Sequence, residues 1–368
     1  MKIERVELLH IAIPLVKPFR TSFGSVDSKD AFLLHVVTDE AEGWSEFAGD
    51  PDPLYCSEFI AGAEIVIRDF LLPRVRALPE PRAAAAGAAM EPVKGNELAK
   101  AALETALLDA ELRAHNMPLA TYLGSATGQK VPAGVSVGIK NSIPELLDDV
   151  EEYLAEGYVR IKLKIEPGWD LEPLRAVRER FGDALPLQVD ANTAYTLADA
   201  EHLRKLDEFG LLLIEEPLTE NDLRAHARLQ QRIVTPVCLD ESIHSARDAA
   251  TAIAMEACRV INVKPARVGG YLEARRIHDV AVANGVPVWC GGMLETGIGR
   301  APNLALAALP GFTLPGDTSA SSRYYAEDIT EPFVLDKDGC LSVPSGPGIG
   351  IDPLPETLAR FTTATHWL

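Results

Sequence analysis

The feature that most constrains this chain is a repeat of short apolar segments over its second half, each ending in a polar residue. The ends fall at residues 164, 190, 215, 240, 264 and 290, so successive ends are 24–26 residues apart. Amphipathic stretches closed by glycine, such as LEPLRAVRERFG and LADAEHLRKLDEFG, lie between them. Glycine commonly follows the end of a helix, so each stretch predicts a helix after a strand. A strand-helix unit repeated at this period is typical of a (β/α) barrel.

Two further apolar segments bracket this series. VPAGVSVGI ends at residue 139, and FTLPGD lies near residues 314–317. The total of eight predicted strands agrees with a barrel. The alternative fold is a doubly wound open sheet, which usually carries a glycine-rich loop after its first strand. GVSVGIKNS matches that loop poorly, and we therefore favour the barrel.

The first hundred residues predict a smaller α+β unit. Its expected strands and helices cover residues 2–13, 31–38, 58–76 and 97–114. Glu42-Gly43 indicates a turn into a third strand. Asn96 is placed to cap the last of these helices.

The composition excludes several classes of protein. A formal charge of −19 and a sequence pI near 4.9 argue against nucleic acid or an anionic membrane as a partner. No apolar run approaches the roughly 18 residues of a membrane helix, and Glu4 and Glu7 interrupt any signal-peptide pattern. The cysteines are Cys56, Cys238, Cys258, Cys290 and Cys340. Because they are widely spaced with no CxxC pair, we expect neither disulfides nor a zinc site, and a cytoplasmic location.

Charged and glycine residues follow the predicted strands, at the ends where the active site of a (β/α) barrel lies. In chain order they are Lys162 and Lys164, Asp190 and Asn192, Glu215 and Glu216, Asp240 and Glu241, Lys264, and Gly291-Gly292-Met293. If Asp190, Glu215 and Asp240 project into the barrel mouth, their carboxylates repel one another unless a cation lies among them. Oxygen ligands favour Mg²⁺ or Mn²⁺ over zinc.

Two lysines flank this predicted metal site, Lys164 one strand before it and Lys264 one strand after it. A substrate between them would have an amine on each face, which suits removal of a proton from the carbon next to a carboxylate. A lysine must lose its own proton to act as a base, so its pKa must fall from about 10.4. We expect Lys162 to lower the pKa of Lys164, and Arg267 to lower that of Lys264, each together with the metal.

Single residues near the strand ends also have structural interpretations. A lone strand-end carboxylate is more often a helix cap or a surface charge, but five charged residues on five consecutive strand ends favour function. Glu216 and Glu241 each follow a predicted ligand and are expected to face the other way. We give His244 no direct role. The run GGMLETGIG fits a substrate-contact loop or a tight turn equally well.

Two functions of other classes were also considered. A Schiff-base lyase would use Lys264 to form an imine with a carbonyl substrate, and the three carboxylates would then have no role. A non-catalytic barrel that serves as a binding or scaffold protein would not need the intact set of five charged residues. Both alternatives explain less of the sequence than metal-assisted proton abstraction does.

Several motifs resemble the enolase superfamily in its muconate-lactonizing subgroup. They are RIKLKIEPGWD, LQVDANTAY, LLIEEPL, CLDESI, INVKPARVGGYLEARRIHD and WCGGMLETGIGRA, in the family's order. PLVKPFRTSFG and KGNELAKAALETALLDAELRA are similar to the family's capping domain. GVSVGI, GGMLETGIGRA and TLPGDTSAS most resemble the branch that contains o-succinylbenzoate synthases and N-succinylamino acid (N-acylamino acid) racemases.

The resemblance implies an α/β fold in which an α+β capping domain covers a (β/α)7β barrel with one catalytic Mg²⁺, for which Mn²⁺ or another divalent ion can substitute. It implies Asp190, Glu215 and Asp240 as metal ligands, Lys164 and Lys264 as acid/base residues, and Lys162 as the residue that stabilises the bound carboxylate. It implies a lid of Phe19, Arg20 and Phe23 over a site lined by Ser136, Asn192, Gly292, Met293 and Leu294. We place the capping domain at 1–125, with about 325–368 packing back on it, and the barrel at 126–324.

The function that this resemblance implies is N-acylamino acid racemisation with o-succinylbenzoate synthase activity. A dedicated synthase of menaquinone synthesis, a dipeptide epimerase and a muconate cycloisomerase are the alternatives within the superfamily. The expected partner is a small carboxylate substrate, with no nucleic acid and no membrane. We also expect a homo-oligomer.

Overall fold

The computed structural model describes residues 1–22, 24–125 and 128–368. The strands are β1 (Ile3–Thr21), β2 (Gly24–Thr38), β3 (Glu42–Phe47), β4 (Lys130–Pro132), β5 (Gly134–Val137), β6 (Arg160–Lys164), β7 (Leu187–Asp190), β8 (Ile214–Glu215), β9 (Val237–Leu239), β10 (Val260–Val263), β11 (Val288–Cys290), β12 (Cys340–Ser342) and β13 (Thr362–Trp367). They form a seven-stranded parallel sheet, a four-stranded antiparallel sheet and a two-stranded pair of β4 with β12.

Helices connect the parallel strands and flank the antiparallel sheet. They are α1 (Ile60–Val66), α2 (Leu72–Arg76), α3 (Ala83–Met90), α4 (Glu97–Ala114), α5 (Leu119–Leu123), α6 (Ile143–Glu156), α7 (Leu171–Phe181), α8 (Ala200–Leu203), α9 (Leu223–Gln230), α10 (Ala246–Ala254), α11 (Tyr271–Ala283), α12 (Gly297–Ala307) and α13 (Pro355–Phe361). A π-helical turn, Ile67–Leu71, joins α1 to α2. No helix within the described ranges combines the length and apolar character needed to cross a membrane.

The parallel sheet runs in the order β5 to β11 and confirms the predicted strand-helix repeat. The predicted eighth strand is reduced to two bridges, which pair Gly316 with Ala133 and Phe312 with Val288. Gly134 N donates to Gly316 O at 2.8 Å, and Asp317 N donates to Cys290 O at 2.9 Å. The segment 311–317 therefore bonds to both edges of the curled sheet and closes it. Pro315 has no N–H to donate, which explains why the ladder is interrupted here.

The antiparallel sheet has the order β13-β1-β2-β3, so the last strand of the chain pairs with the first. β1 and β2 are longer than the predicted strands, which covered residues 2–13 and 31–38. β1 continues past Pro14 through an irregularity in its pairing with β2, and it resumes regular pairing at Phe19. The extended hairpin reaches the mouth of the barrel, where Phe19 and Thr21 line a cavity.

The cap of α4 differs from the prediction. Asn96 occupies the N-cap position in a left-handed conformation, with φ 59°, but its side chain makes no hydrogen bond to the helix. The Glu58 carboxylate instead accepts hydrogen bonds from Leu98 N at 2.9 Å and Ala99 N at 3.0 Å. The predicted role of Asn96 as a side-chain cap is therefore wrong, because a residue distant in sequence satisfies the unpaired N–H groups of the helix.

A carboxylate of α4, Glu104, links this helix to the start of α11. Glu104 is buried, and its carboxylate accepts hydrogen bonds from Leu272 N at 3.0 Å and Tyr271 N at 3.2 Å, at the start of α11. The side chain thus satisfies N–H groups that have no partner within α11. Burial raises the pKa of Glu104 to about 7, and the two backbone donors offset only part of that effect.

We predict that Glu58→Ala lowers the free energy of unfolding by about 1 kcal/mol, the usual effect of removing a helix cap. Asn96→Gly is the matched control and should cause little loss, because glycine adopts a φ of 59° without strain. Urea unfolding followed by circular dichroism measures both changes. Equal destabilisation by the two variants would contradict the assignment of Glu58 as the cap.

Glu104→Gln should change how stability depends on pH. Between pH 4.5 and 7 the folded protein keeps the Glu104 proton while the unfolded chain releases it, so ionisation lowers the unfolding free energy as pH rises. Glutamine removes this effect. We therefore expect the free energy of unfolding of the variant, relative to that of the parent, to rise by about 1–3 kcal/mol from pH 5 to pH 8. Urea midpoints at both values test this. A difference that does not vary with pH would contradict it.

Candidate active site

The predicted site residues lie side by side at the carboxyl ends of the parallel strands. Lys164 in β6 is the register partner of Asp190 in β7, and Asp190 is the partner of Glu215 in β8. Asp240 and Lys264 directly follow β9 and β10. All five residues are buried. The structure therefore brings the predicted charged residues together at one end of the barrel.

Lys162 contacts three carboxylates. Its Nζ lies 3.0 Å from Glu215 Oε2 and 3.2 Å from Asp190 Oδ2. A third contact, at 2.6 Å, is with Asp317 Oδ2. The Trp289 ring lies 4.9 Å away, so its π face also contacts the ammonium group. Burial alone would lower the pKa of Lys162, but these carboxylates outweigh burial and raise it, so Lys162 is a fixed positive charge.

The two predicted acid/base lysines have separate partners. Lys164 Nζ donates to Asp190 Oδ2 at 2.6 Å and to Asn192 Oδ1 at 2.7 Å. Lys264 Nζ donates to Asp240 Oδ2 at 2.6 Å and to the Tyr55 hydroxyl at 2.9 Å.

The strand order places the two lysines across the barrel mouth from each other. β6 and β10 are four positions apart in the sheet. Four positions are half the circumference of a barrel with eight positions, so Lys164 and Lys264 lie on opposite sides of the mouth. Both line the same cavity, which has a volume of about 230 Å³. A molecule in that cavity can therefore contact an amine on each side.

The carboxylates differ in their affinity for protons. Burial would raise the pKa of Asp190, but Lys164 and Lys162 lower it to about 2. Burial and the neighbouring Asp190 charge raise the pKa of Glu215 to about 8. Burial also opposes ionisation of Asp240, but Lys264 and Arg267 lower its pKa overall. The site thus holds two firmly ionised carboxylates and one that readily takes a proton.

Lys264 and Arg267 both contact Asp240. Arg267 contacts Asp240 rather than the lysine, with its Nε 3.3 Å from Asp240 Oδ1 and its guanidinium bonded to the Asp240 carbonyl oxygen. Burial lowers the pKa of Lys264, but the Asp240 carboxylate outweighs it, and the pKa lies well above its usual value. The prediction that Arg267 and the metal together lower the pKa of Lys264 stays a prediction, and the contacts described here favour the ammonium form of this lysine.

Most of the predicted substrate-contact residues line the cavity. They are Phe19, Ser136, Asn192, Gly292, Met293 and Leu294. The hydroxyl oxygen of Ser136 is buried and has no hydrogen-bond partner among the described residues, so it can serve a bound ligand. Phe23, a predicted lid residue, lies outside the described residues.

Arg20 does not line the cavity, contrary to expectation. Its guanidinium lies 3.7 Å from Glu166 and its side chain is half exposed. Neighbouring residues of a strand face opposite sides, and Phe19 and Thr21 take the side that faces the cavity. Arg20 therefore contributes to the outer surface of the hairpin.

The glycine-rich run after β11 forms one wall of the cavity. A side chain at Gly292 would approach Asp317 O within 2.7 Å, so only glycine permits the backbones to lie this close. Leu294 has a φ of 56°, a strained conformation for a residue with a side chain. The first domain holds the glycine-rich run in place, since Lys29 Nζ donates a hydrogen bond to Met293 O at 3.0 Å. The run therefore forms part of the cavity wall as well as a turn.

Glu216 and Glu241 support their neighbours. Glu216 Oε2 accepts a hydrogen bond from Asp240 N at 2.8 Å, and its other oxygen accepts one from the Ser242 hydroxyl. Glu241 Oε1 accepts from Asn192 Nδ2 at 3.0 Å, which orients the amide that contacts Lys164. Neither side chain lines the cavity.

Asp317, Tyr55 and Tyr324 are among the cavity residues that were not predicted from the sequence. Asp317 binds Lys162 and Arg160, the latter at 2.8 Å. It ends the eighth apolar segment, so the strand period carried a signal for it. Tyr55 and Tyr324 also line the cavity, but they come from irregular segments in which no repeat indicates their place.

Two protein families match the chain. Residues 4–124 match the family described as mandelate racemase / muconate lactonizing enzyme, N-terminal domain, and residues 145–357 match the family described as enolase C-terminal domain-like. The chain belongs to the enolase superfamily. It lies in the branch that contains N-succinylamino acid racemases and o-succinylbenzoate synthases, which confirms the resemblance noted in the sequence.

Relatives in this superfamily align over nearly the whole chain. An N-succinylamino acid racemase from Amycolatopsis sp is 60% identical over 368 residues, 100% of both chains. An o-succinylbenzoate synthase from Geobacillus kaustophilus is 46% identical over 363 residues, 98% of this chain and 96% of that protein. The crystal structure of an enolase-superfamily member from Listeria innocua has a TM-score of 0.94 at 38% identity, covering 100% of this chain and 99% of that one.

Enolase-superfamily enzymes of this kind use a divalent metal ion, and the donor set of this site fits one. Asp240 Oδ1 and Glu241 Oε2 are buried and accept no hydrogen bond from any described residue. The donors are anionic oxygens, which hard divalent ions prefer. A lysine ammonium group contacts each of the three proposed ligands, Asp190, Glu215 and Asp240. Among the described residues, the oxygens of these three carboxylates do not all lie within 4.8 Å of one another.

Asp240→Asn should weaken binding of a divalent cation, because the neutral amide removes one negative charge from the proposed ligand set. We expect a loss of at least about 10–100-fold, the range known for residues that only support metal ligands. Isothermal titration calorimetry with Mg²⁺ measures it, and circular dichroism checks the fold. Asp336→Asn, at a partly exposed ion pair with Lys130, is the control. An unchanged titration would remove Asp240 from the ligand set.

Proposed function

We propose that this enzyme racemises N-acylamino acids, N-succinylamino acids in particular, and also has o-succinylbenzoate synthase activity, with Mg²⁺ as its metal and Mn²⁺ as a possible substitute. The observation that carries the proposal is the placement of Lys164 and Lys264 on opposite sides of one cavity. Racemisation requires a proton to leave one face of the α-carbon and another to arrive at the opposite face. The names of the relatives from Amycolatopsis and Geobacillus support this substrate class.

The substrate carboxylate is expected to bind near Lys162. Lys162 lies in the cavity wall and its raised pKa keeps it charged, so it attracts an anion. A divalent ion held by Asp190, Glu215 and Asp240 would supply electrostatic stabilisation of the second negative charge that develops on the substrate carboxylate. The acyl tail would then extend towards Phe19, Met293 and Leu294, the apolar part of the cavity wall.

Proton transfer needs opposite protonation states on the two lysines. One amine accepts the α-proton while the ammonium of the other returns a proton to the opposite face. The Asp240 carboxylate holds Lys264 as an ammonium, so Lys264 is prepared to donate. Lys164 Nζ donates hydrogen bonds to the Asp190 carboxylate and to the Asn192 amide oxygen, which orient it. The roles exchange when the other enantiomer binds.

The synthase activity uses the same residues differently. Lys164 would remove the α-proton of a cyclohexadiene carboxylate, and hydroxide would then depart. Lys264 would remain an ammonium and hold the negatively charged intermediate. No proton needs to leave Lys264 in this reaction, which is compatible with its pairing with Asp240 at 2.6 Å.

A Schiff-base mechanism fits the site less well. Imine formation requires a neutral amine, whereas the Lys264 ammonium is paired with Asp240 at 2.6 Å. The proposal predicts that a chelator abolishes activity and that borohydride with substrate traps no adduct on Lys264. The Schiff-base alternative predicts the reverse for both treatments.

We predict that Lys164→Ala and Lys264→Ala each lower racemisation of N-succinylamino acids by at least about 10²–10⁴-fold, the range for loss of a general acid or base. Polarimetry follows racemisation, and ¹H NMR in D₂O follows exchange of the α-hydrogen of each enantiomer separately. Lys130→Ala, an exposed lysine bonded to Asp336, is the control. Either variant racemising at the parent rate would refute the two-base assignment.

A further inference from the structure

A second cluster of metal-ligating side chains lies in the N-terminal sheet, apart from the barrel mouth. It consists of His10 in β1, Glu64 in α1 and His366 in β13. One ligand atom from each of the three lies within 4.8 Å of the other two. The three residues are 54 and 302 positions apart in the chain, so no sequence motif indicates the cluster.

The sheet register accounts for the pairing of the two histidines. His10 lies opposite Ala364, and His366 is two residues further along the same strand. Residues two apart share a face of the sheet, so the two imidazoles are diagonal neighbours. Their ring centroids are 5.2 Å apart.

Glu64 directs one carboxylate oxygen to each histidine. Its Oε1 lies 2.7 Å from His366 Nδ1 and its Oε2 lies 3.2 Å from His10 Nε2. Arg68 is the nearest cation, but its guanidinium is 4.0 Å from Glu64 and is bonded to Asp69 at 2.8 Å. The carboxylate is therefore oriented by the two imidazoles that would be its fellow ligands.

We propose that His10, Glu64 and His366 bind a divalent transition-metal ion, Zn²⁺ foremost, separate from the ion of the barrel mouth. Two imidazoles and one carboxylate suit zinc, whereas Mg²⁺ prefers oxygen ligands alone. The side chains are partly exposed, His366 to 46% of its surface, so an ion can enter and water can complete its coordination. The ion fastens the last strand of the chain to the first strand and to α1.

Zinc binding to protein saturated with Mg²⁺ tests the proposal. The protein is stripped with a chelator and loaded with excess Mg²⁺, and Zn²⁺ is then titrated in competition with a chromogenic chelator. The parent should bind one equivalent of Zn²⁺ that His366→Ala and Glu64→Gln bind at least about 10–100-fold more weakly. His115→Ala, which removes an exposed histidine elsewhere, should bind as the parent does.

A thermal measurement gives a second readout. Ligand that binds only the folded state raises its melting temperature, and saturating Zn²⁺ should raise Tm of the parent and of His115→Ala by about 3–5 °C. His366→Ala and Glu64→Gln should show a much smaller rise at the same Zn²⁺ concentration, because they bind the ion more weakly. Glu64→Gln keeps the volume of the side chain, so the test does not depend on one variant folding. Equal Zn²⁺ binding by the parent and both variants, or no binding by the parent, would overturn the proposal.

Discussion

Buried ammonium groups balance buried carboxylates at the mouth of this barrel, and the rest of the site depends on that balance. Removing a charge from water costs several kcal/mol, so each buried ion needs close partners. Lys162 contacts Asp190, Glu215 and Asp317, while Lys164 and Lys264 each hold one strand-end aspartate. The pairing keeps Asp190 and Asp240 ionised, whereas Glu215 readily takes a proton. The proposed metal ligands and the proposed acid/base lysines therefore belong to one electrostatic network.

The N-terminal domain completes this network. The barrel supplies the charged residues, but Phe19, Tyr55 and the hairpin of β1 and β2 supply one wall of the cavity. The Tyr55 hydroxyl also contacts Lys264 directly. In the proposed mechanism the barrel supplies the charged residues, and the N-terminal domain shares with the loop after β11 the wall that the acyl tail would contact.

Much of the barrel could be predicted from the sequence, because each strand is short, apolar and ended by a polar residue at a regular interval. The same regularity located Lys164, Asp190, Glu215, Asp240 and Lys264. The predictions failed where long-range contacts decide the outcome. The cap of α4 comes from Glu58 rather than from the adjacent Asn96. Arg20 lies in the hairpin but points away from the cavity, because neighbouring strand residues face opposite sides. Spacing also does not indicate that Arg267 contacts Asp240.

The contacts between the first domain and the loop after β11 have a consequence for protein engineering. The Glu46 carboxylate accepts hydrogen bonds from Thr296 N at 2.9 Å and from the Thr296 hydroxyl at 2.6 Å. Lys29 donates a hydrogen bond to Met293 O in the same loop. A chimera that exchanged the first domain with that of a relative would break these bonds unless the new domain carried the same pair. Loop and domain must therefore be transplanted together when substrate range is redesigned.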